Sequence, residues 1–204
     1  MCLYSFRRFM NVLLVLGAVA GLAACQPVIT REDPSSVKDL SGKWNDTDSR
    51  KVSQEMIQDV LSQRWLSKFT DKTGQMPTVI VGKVRNLSHE HINTRTFIAD
   101  IQRALINSGE VSFVASNEDR KEIRSERRDQ DLNASESSRK AMGNEAGADF
   151  MLKGTINTII DAITGKQVRF YQVDLILVDL SSNRMVWAGQ QKIKKSVKRS
   201  GIRF

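Results

Sequence analysis

Val168-Arg169-Phe170-Tyr171-Gln172-Val173-Asp174-Leu175-Ile176-Leu177-Val178-Asp179-Leu180 decides the fold. Tyr171, Val173, Leu175 and Leu177 fall on one side of an extended chain, and Asp174, Ile176 and Val178 on the other. A strand apolar on both sides for part of its length belongs inside a sheet, with helices over one face. Its neighbours have the same period. Phe150–Ile160 and Met185–Ile193 read as strands, joined through turns at Thr164-Gly165 and Ser181-Ser182-Asn183.

Upstream, the period changes to that of helices. Val52, Met56 and Val60 recur every four residues, with Ile57, Leu61 and Trp65 alongside and with Asp46, Thr47 and Asp48 as caps. Asp71 to Pro77 is a break, and Thr78–Val84 is a buried strand. Thr94 caps a second helix with the stripe Phe97, Ile98, Ile101, Leu105 and Ile106, and Gly109 suits its C-terminal end. Val111–Ala115 is a short strand. Ser116 and Asp119 form a capping box for a third helix, Glu118–Asp131, in which Ile123 is the only apolar residue before Leu132. A short fourth helix is expected over Ser135–Glu145. The expectation is an α+β domain around a mixed β-sheet of about five strands with helices packed on it.

The 204 residues, 40% hydrophobic and 26% charged, suffice for one domain of ordinary core size. They exclude a large multidomain enzyme and a fully disordered chain. Aromatics are only 6%, too few for a base-stacking platform. The first residues stand apart from the rest. Arg7 and Arg8 precede an apolar run from Val12 to Leu22, about half of what spans a bilayer, as in a secretory signal. The run closes on Leu22-Ala23-Ala24-Cys25, which resembles a bacterial lipobox. Cleavage there makes residues 1–24 a lipoprotein signal peptide and Cys25 the lipid attachment site, carrying diacylglycerol and palmitate. It also leaves no thiol in the mature chain, because Cys2 departs with the signal. Residues 25–47 are read as a lipidated flexible tether, with Gln26–Thr47 reaching at most ~75 Å, and 48–204 as the globular domain. Gln26 after the cysteine resembles lipoproteins sorted to the outer membrane, where the chain would face the periplasm.

Catalytic signals are scarce. His89 and His91 flank Glu90, but two histidines in a loop without a further ligand read as an exposed loop. Asn45-Asp46-Thr47-Asp48-Ser49 has Arg50 where a calcium loop needs glycine, and Leu61 where it needs a bidentate glutamate. It reads as helix capping. With no phosphate loop or nucleophile elbow, the chain reads as a non-enzyme without cofactor or metal. Charge is the remaining signal. The net charge of +8 falls to +6 once Arg7 and Arg8 are removed. Arg120, Arg124 and Arg128 line one side of the third helix. Lys192, Lys194, Lys195, Lys198 and Arg199 crowd the C-terminus, interleaved with Ile193 and Val197. These eight residues are the candidate partner-binding set, for acidic proteins, lipid headgroups or glycan carboxylates. The export signal excludes nucleic acid as a partner.

A family resemblance accompanies these residues. Leu40-Ser41-Gly42-Lys43-Trp44-Asn45-Asp46-Thr47-Asp48-Ser49-Arg50, Val81-Gly82-Lys83-Val84-Arg85-Asn86, Phe97-Ile98-Ala99-Asp100-Ile101 and Ala104-Leu105-Ile106-Asn107-Ser108-Gly109 resemble LpoB-like lipoproteins. So do Arg139-Lys140-Ala141-Met142-Gly143, Gly147-Ala148-Asp149-Phe150-Met151-Leu152 and Val186-Trp187-Ala188-Gly189. The resemblance implies a fold similar to the TolB N-terminal domain, without catalysis. It also implies that the chain binds and activates a bifunctional peptidoglycan synthase (a class A penicillin-binding protein), acting as a monomer anchored in the outer membrane. Two other readings fit the same features: a structural subunit of an outer-membrane or secretion assembly, and a cell-wall binding module.

Overall fold

Asn45 starts the first helix. In the computed structural model, which describes residues 29–140, 143 and 145–198, the described residues divide into a short unit ending at Ser36 and a compact unit beginning at Val37. α1 covers Asp46–Ser62. The Asn45 side chain accepts from the Asp48 amide at 3.0 Å, and the Asp48 carboxylate accepts from the Asn45 amide at 3.0 Å. The cap therefore lies one residue before the expected Asp46–Asp48 set, in a reciprocal box. Val52, Met56 and Val60 form the buried stripe.

The first helix does not run on to Trp65. Gln63 is extended, and α2 restarts at Arg64 and continues to Thr73, past the break expected from Asp71. The Trp65 indole N–H explains the interruption: it folds back to the Val60 carbonyl at 2.6 Å and satisfies a C-terminal acceptor of α1. β1 covers Thr78–Asn86. α3 covers Thr94–Ser108, capped by Asn93 rather than Thr94 and closed by Gly109 at φ 69°. Phe97, Ile101 and Leu105 are buried, whereas Ile106, expected in the same stripe, is 53% exposed. β2 is only Ser112–Phe113, shorter than the expected Val111–Ala115.

α4 covers Asn117–Asn133 and has the expected Ser116–Asp119 capping box. None of its residues is buried. The helix expected over Ser135–Glu145 is absent from the described part of that stretch. Instead, the Ser138 and Arg139 amides both donate to the Ser135 carbonyl, and the Ser135 and Ser138 hydroxyls pair at 2.7 Å. Clustered serines offer the backbone such alternatives to a helix.

β3 (Phe150–Ile163), β4 (Lys166–Asp179) and β5 (Met185–Lys198) form a meander, turning first at Thr164-Gly165. The sheet order is β2-β1-β3-β4-β5; β1 runs parallel to β2 and β3, and the last three strands are antiparallel. The fold is therefore α+β with a mixed five-stranded sheet. β4 lies inside the sheet as expected, although β3 holds the middle. α1 packs on α3 and β5, and α3 packs on β1 and β2. Beneath them lie Leu152, Ile156, Tyr171, Val173, Leu175 and Leu177, each at most 1% exposed. The opposite side of β3–β5 carries no helix. Among the described residues, no helix is long and apolar enough to cross a membrane.

Candidate functional site

β5 sorts its lysines by parity. Lys192, Lys194 and Lys198 lie exposed on the face away from the helices, beside Gln172, Phe170 and Lys166 of β4. On β3, the residues facing the same way include Asn157, Ile159, Asp161 and Ile163. Ile159 and Ile163 are 66% and 72% exposed, and Phe170 is half-buried. This end of the sheet presents apolar side chains ringed by four lysines, with Asp161 the acid among them. None of the four lysines is ion-paired among the described residues.

Lys195 points to the other side. Its ammonium meets Asp39 and Asp48 at 2.6 Å each and the Lys43 carbonyl at 3.3 Å. Burial works to lower its pKa, but the hydrogen bonds to the two carboxylates outweigh it, so the net shift is upward. Lys195 therefore pins the approach segment onto the α1 cap and is spent inside the fold. Gly42 makes the same approach close. Its φ is +65°, and an added Cβ would stand 2.3 Å from Val197 Cγ2. Trp44 then packs edge-on against Phe97 and Tyr171, with ring centroids 6.2 and 5.6 Å away.

The arginines of α4 separate in a similar way. Arg124 makes two hydrogen bonds to Glu145, at 2.9 and 2.8 Å, and Arg127 adds a third at 3.4 Å. The Arg124 hydrogen bond is the main cause that holds the Glu145 carboxyl below its usual range, against a smaller opposing effect of burial. Arg120 is half-buried on the same side, whereas Arg128 is exposed. The expected ridge of three arginines is thus one exposed cation and two turned toward the body. Cys25 and Arg199 lie outside the described residues.

The histidine loop holds a different group from the one its spacing suggests. Glu90 turns inward, accepts from the Tyr171 hydroxyl at 2.8 Å and the Trp44 amide at 3.4 Å, and forms an ion pair with Arg169. Among the described residues, no three His, Cys, Asp or Glu side chains converge as a metal site would require. The Glu90–Arg169 pairing was hidden in the sequence because 79 residues separate the partners. The basic spacing Arg64, Lys68, Lys72 on α2 was readable but not singled out; it borders a cleft described below.

Comparison with known proteins supplies the family. The model of the peptidoglycan-synthase activator LpoB matches residues 48–193. Solved structures similar to this chain include the LpoB C-terminal domain from Escherichia coli, 15% identical over 72% of this chain and 99% of that one, with TM-score 0.45. Lipoprotein GNA1162 from Neisseria meningitidis is 16% identical over 62% and 88%, with TM-score 0.40. The PelC dodecamer from Paraburkholderia phytofirmans is 15% identical over 62% and 76%, with TM-score 0.31. No curated protein matches the chain.

Proposed function

The chain belongs to the LpoB family of peptidoglycan-synthase activators, and from that premise we propose that it is a non-catalytic outer-membrane lipoprotein that binds and stimulates a class A penicillin-binding protein from the periplasmic side. Cys25 carries the lipid, residues 1–24 are removed, and residues 25–47 connect the anchor to the domain at 48–204. The observation that carries the reading is the helix-free face of β3–β5, where Ile159, Ile163 and Phe170 sit among Lys166, Lys192, Lys194 and Lys198. A broad apolar patch with a cationic rim suits protein docking, since the apolar centre supplies affinity while the charges steer and orient.

Stimulation then requires no chemistry from this chain. An activator that binds the active conformation of the synthase more tightly than the inactive one shifts the population by that difference. The test is glycan-strand polymerisation by the purified synthase of the same organism, with and without residues 37–204. Faster polymerisation at stoichiometric amounts is expected, with an effect that declines as salt rises. Replacing Lys192, Lys194 and Lys198 with Glu weakens binding by about tenfold or more, equivalent to about 1.4 kcal/mol, without changing the melting temperature. Absence of both stimulation and binding at micromolar protein would refute the reading for that enzyme.

A further inference from the structure

We propose that the cleft between α2 and the β4–β5 turn is a second binding site, for an acidic peptide segment that presents one large apolar side chain between carboxylates. The cleft, about 530 Å³, falls within the usual range for ligand sites. Its floor is aromatic. Trp65 and Phe69 both meet Phe150 edge-on, with centroids 4.9 and 5.3 Å apart. Phe69 is only half-buried, leaving ring surface for an incoming side chain. One rim is cationic. Arg64, Lys68 and Lys72 recur every four residues, about 6 Å apart along the helix, and all are exposed. None of them has an ion-pair partner among the described residues.

The opposite rim does not neutralise them. Asp179 is the acid lining the cleft, and its Oδ1 accepts from the Ser181 hydroxyl at 2.7 Å and from the Ser181 and Ser182 amides at 2.8 and 3.0 Å. These bonds, the Ser181 hydroxyl first, stabilise its charge inside the turn. Asp71, also on α2, does not line the cleft. Three unspent cations over an apolar floor are complementary to carboxylates flanking an apolar side chain. The shape favours a peptide over a lipid surface. Trp65 is 7% exposed and both α2 rings face the sheet, whereas membrane insertion needs its apolar face to protrude. The site lies apart from the lysine-ringed sheet face and stands whichever client that face binds.

The test selects a random-peptide library against the full chain in detergent micelles, then measures affinities of the enriched peptides. Expected are peptides with an aromatic or leucine side chain between Asp or Glu residues. Their affinity should fall about tenfold or more in a chain carrying R64E, K68E and K72E, and be unchanged by the Lys192, Lys194 and Lys198 reversals. The neutral set R64Q, K68Q and K72Q gives the same loss by a smaller factor and covers the case in which charge reversal prevents folding. Enriched peptides without acidic residues, or indifferent to both α2 variants, would overturn the proposal. So would an α2 variant that loses sedimentation with phosphatidylglycerol vesicles while keeping peptide affinity.

Discussion

Glu90 sits where three parts of the chain meet: the approach segment through the Trp44 amide, β4 through Tyr171 and Arg169, and its own loop. A pair this little exposed owes much of its geometry to the cost of leaving either charge alone, so it fixes an arrangement more than it adds net stability. Tyr171 reports on it. Burial, followed by the Glu90 hydrogen bond, pushes its phenol up to about 12. The folded state therefore holds the phenolic proton while the unfolded chain releases it near pH 10. The stability from this proton is complete below about pH 10 and is lost between about 10 and 12. The sequence has two tyrosines, Tyr4 and Tyr171, so a chain beginning at Val37 isolates the second. Its phenolate absorbance should rise near pH 12, or abruptly if unfolding comes first. Tyr171→Phe should cost about 1 kcal/mol at neutral pH and flatten the decline above pH 10. A Tyr171 titration midpoint near 10 with the fold intact would contradict this environment.

At the scale of elements, α4 is the least secured helix. It buries no residue, and its printed links to the body are the Arg124 and Arg127 contacts with Glu145. Because the Glu145 carboxyl is held below its usual range, the link is complete above the ordinary carboxylate pKa and is lost as pH falls through the folded value. Glu145→Ala should speed amide exchange across residues 117–133 at neutral pH, leaving global unfolding nearly unchanged. The wild type should approach the variant only in acid. Equal protection in both would show that something else holds the helix. α4 was fully legible, since its capping box and charge period are local. The helix expected after it failed because serine hydroxyls compete for the same backbone groups, and the Trp65 break was invisible because an indole six ångströms of helix away decides it. The β5 lysines were legible as a cluster, while the Lys195 exception required Asp39 and Asp48 to arrive from 156 and 147 residues away.

For the whole molecule, reach is the quantity that the folded structure changes. Residues 39–47 lie on the domain through Asp39, Gly42 and Trp44, so the chain from Gln26 to Lys38 is what separates a lipid on Cys25 from the first pinned residue. Thirteen residues span at most about 45 Å, well below the ~75 Å expected for Gln26–Thr47. Deleting residues 27–36 should leave stimulation in solution unchanged and sharply reduce cross-linking to the synthase in cells. An unaffected cellular cross-link would mean that tether length does not limit the encounter.

The sequence by itself determined the α+β class, the meander of three long strands, the buried stripe of each major helix and membership of the family. Each rests on periodicity, capping or motifs carried by contiguous residues. The tertiary structure decided which charges remain available: Lys195 and Arg169 are consumed by carboxylates distant in the chain, while Lys192, Lys194 and Lys198, and the α2 cations, stay exposed. Whether a charged side chain serves the core or a partner depends on what folding brings within about 4 Å of it, and local sequence does not encode that distance.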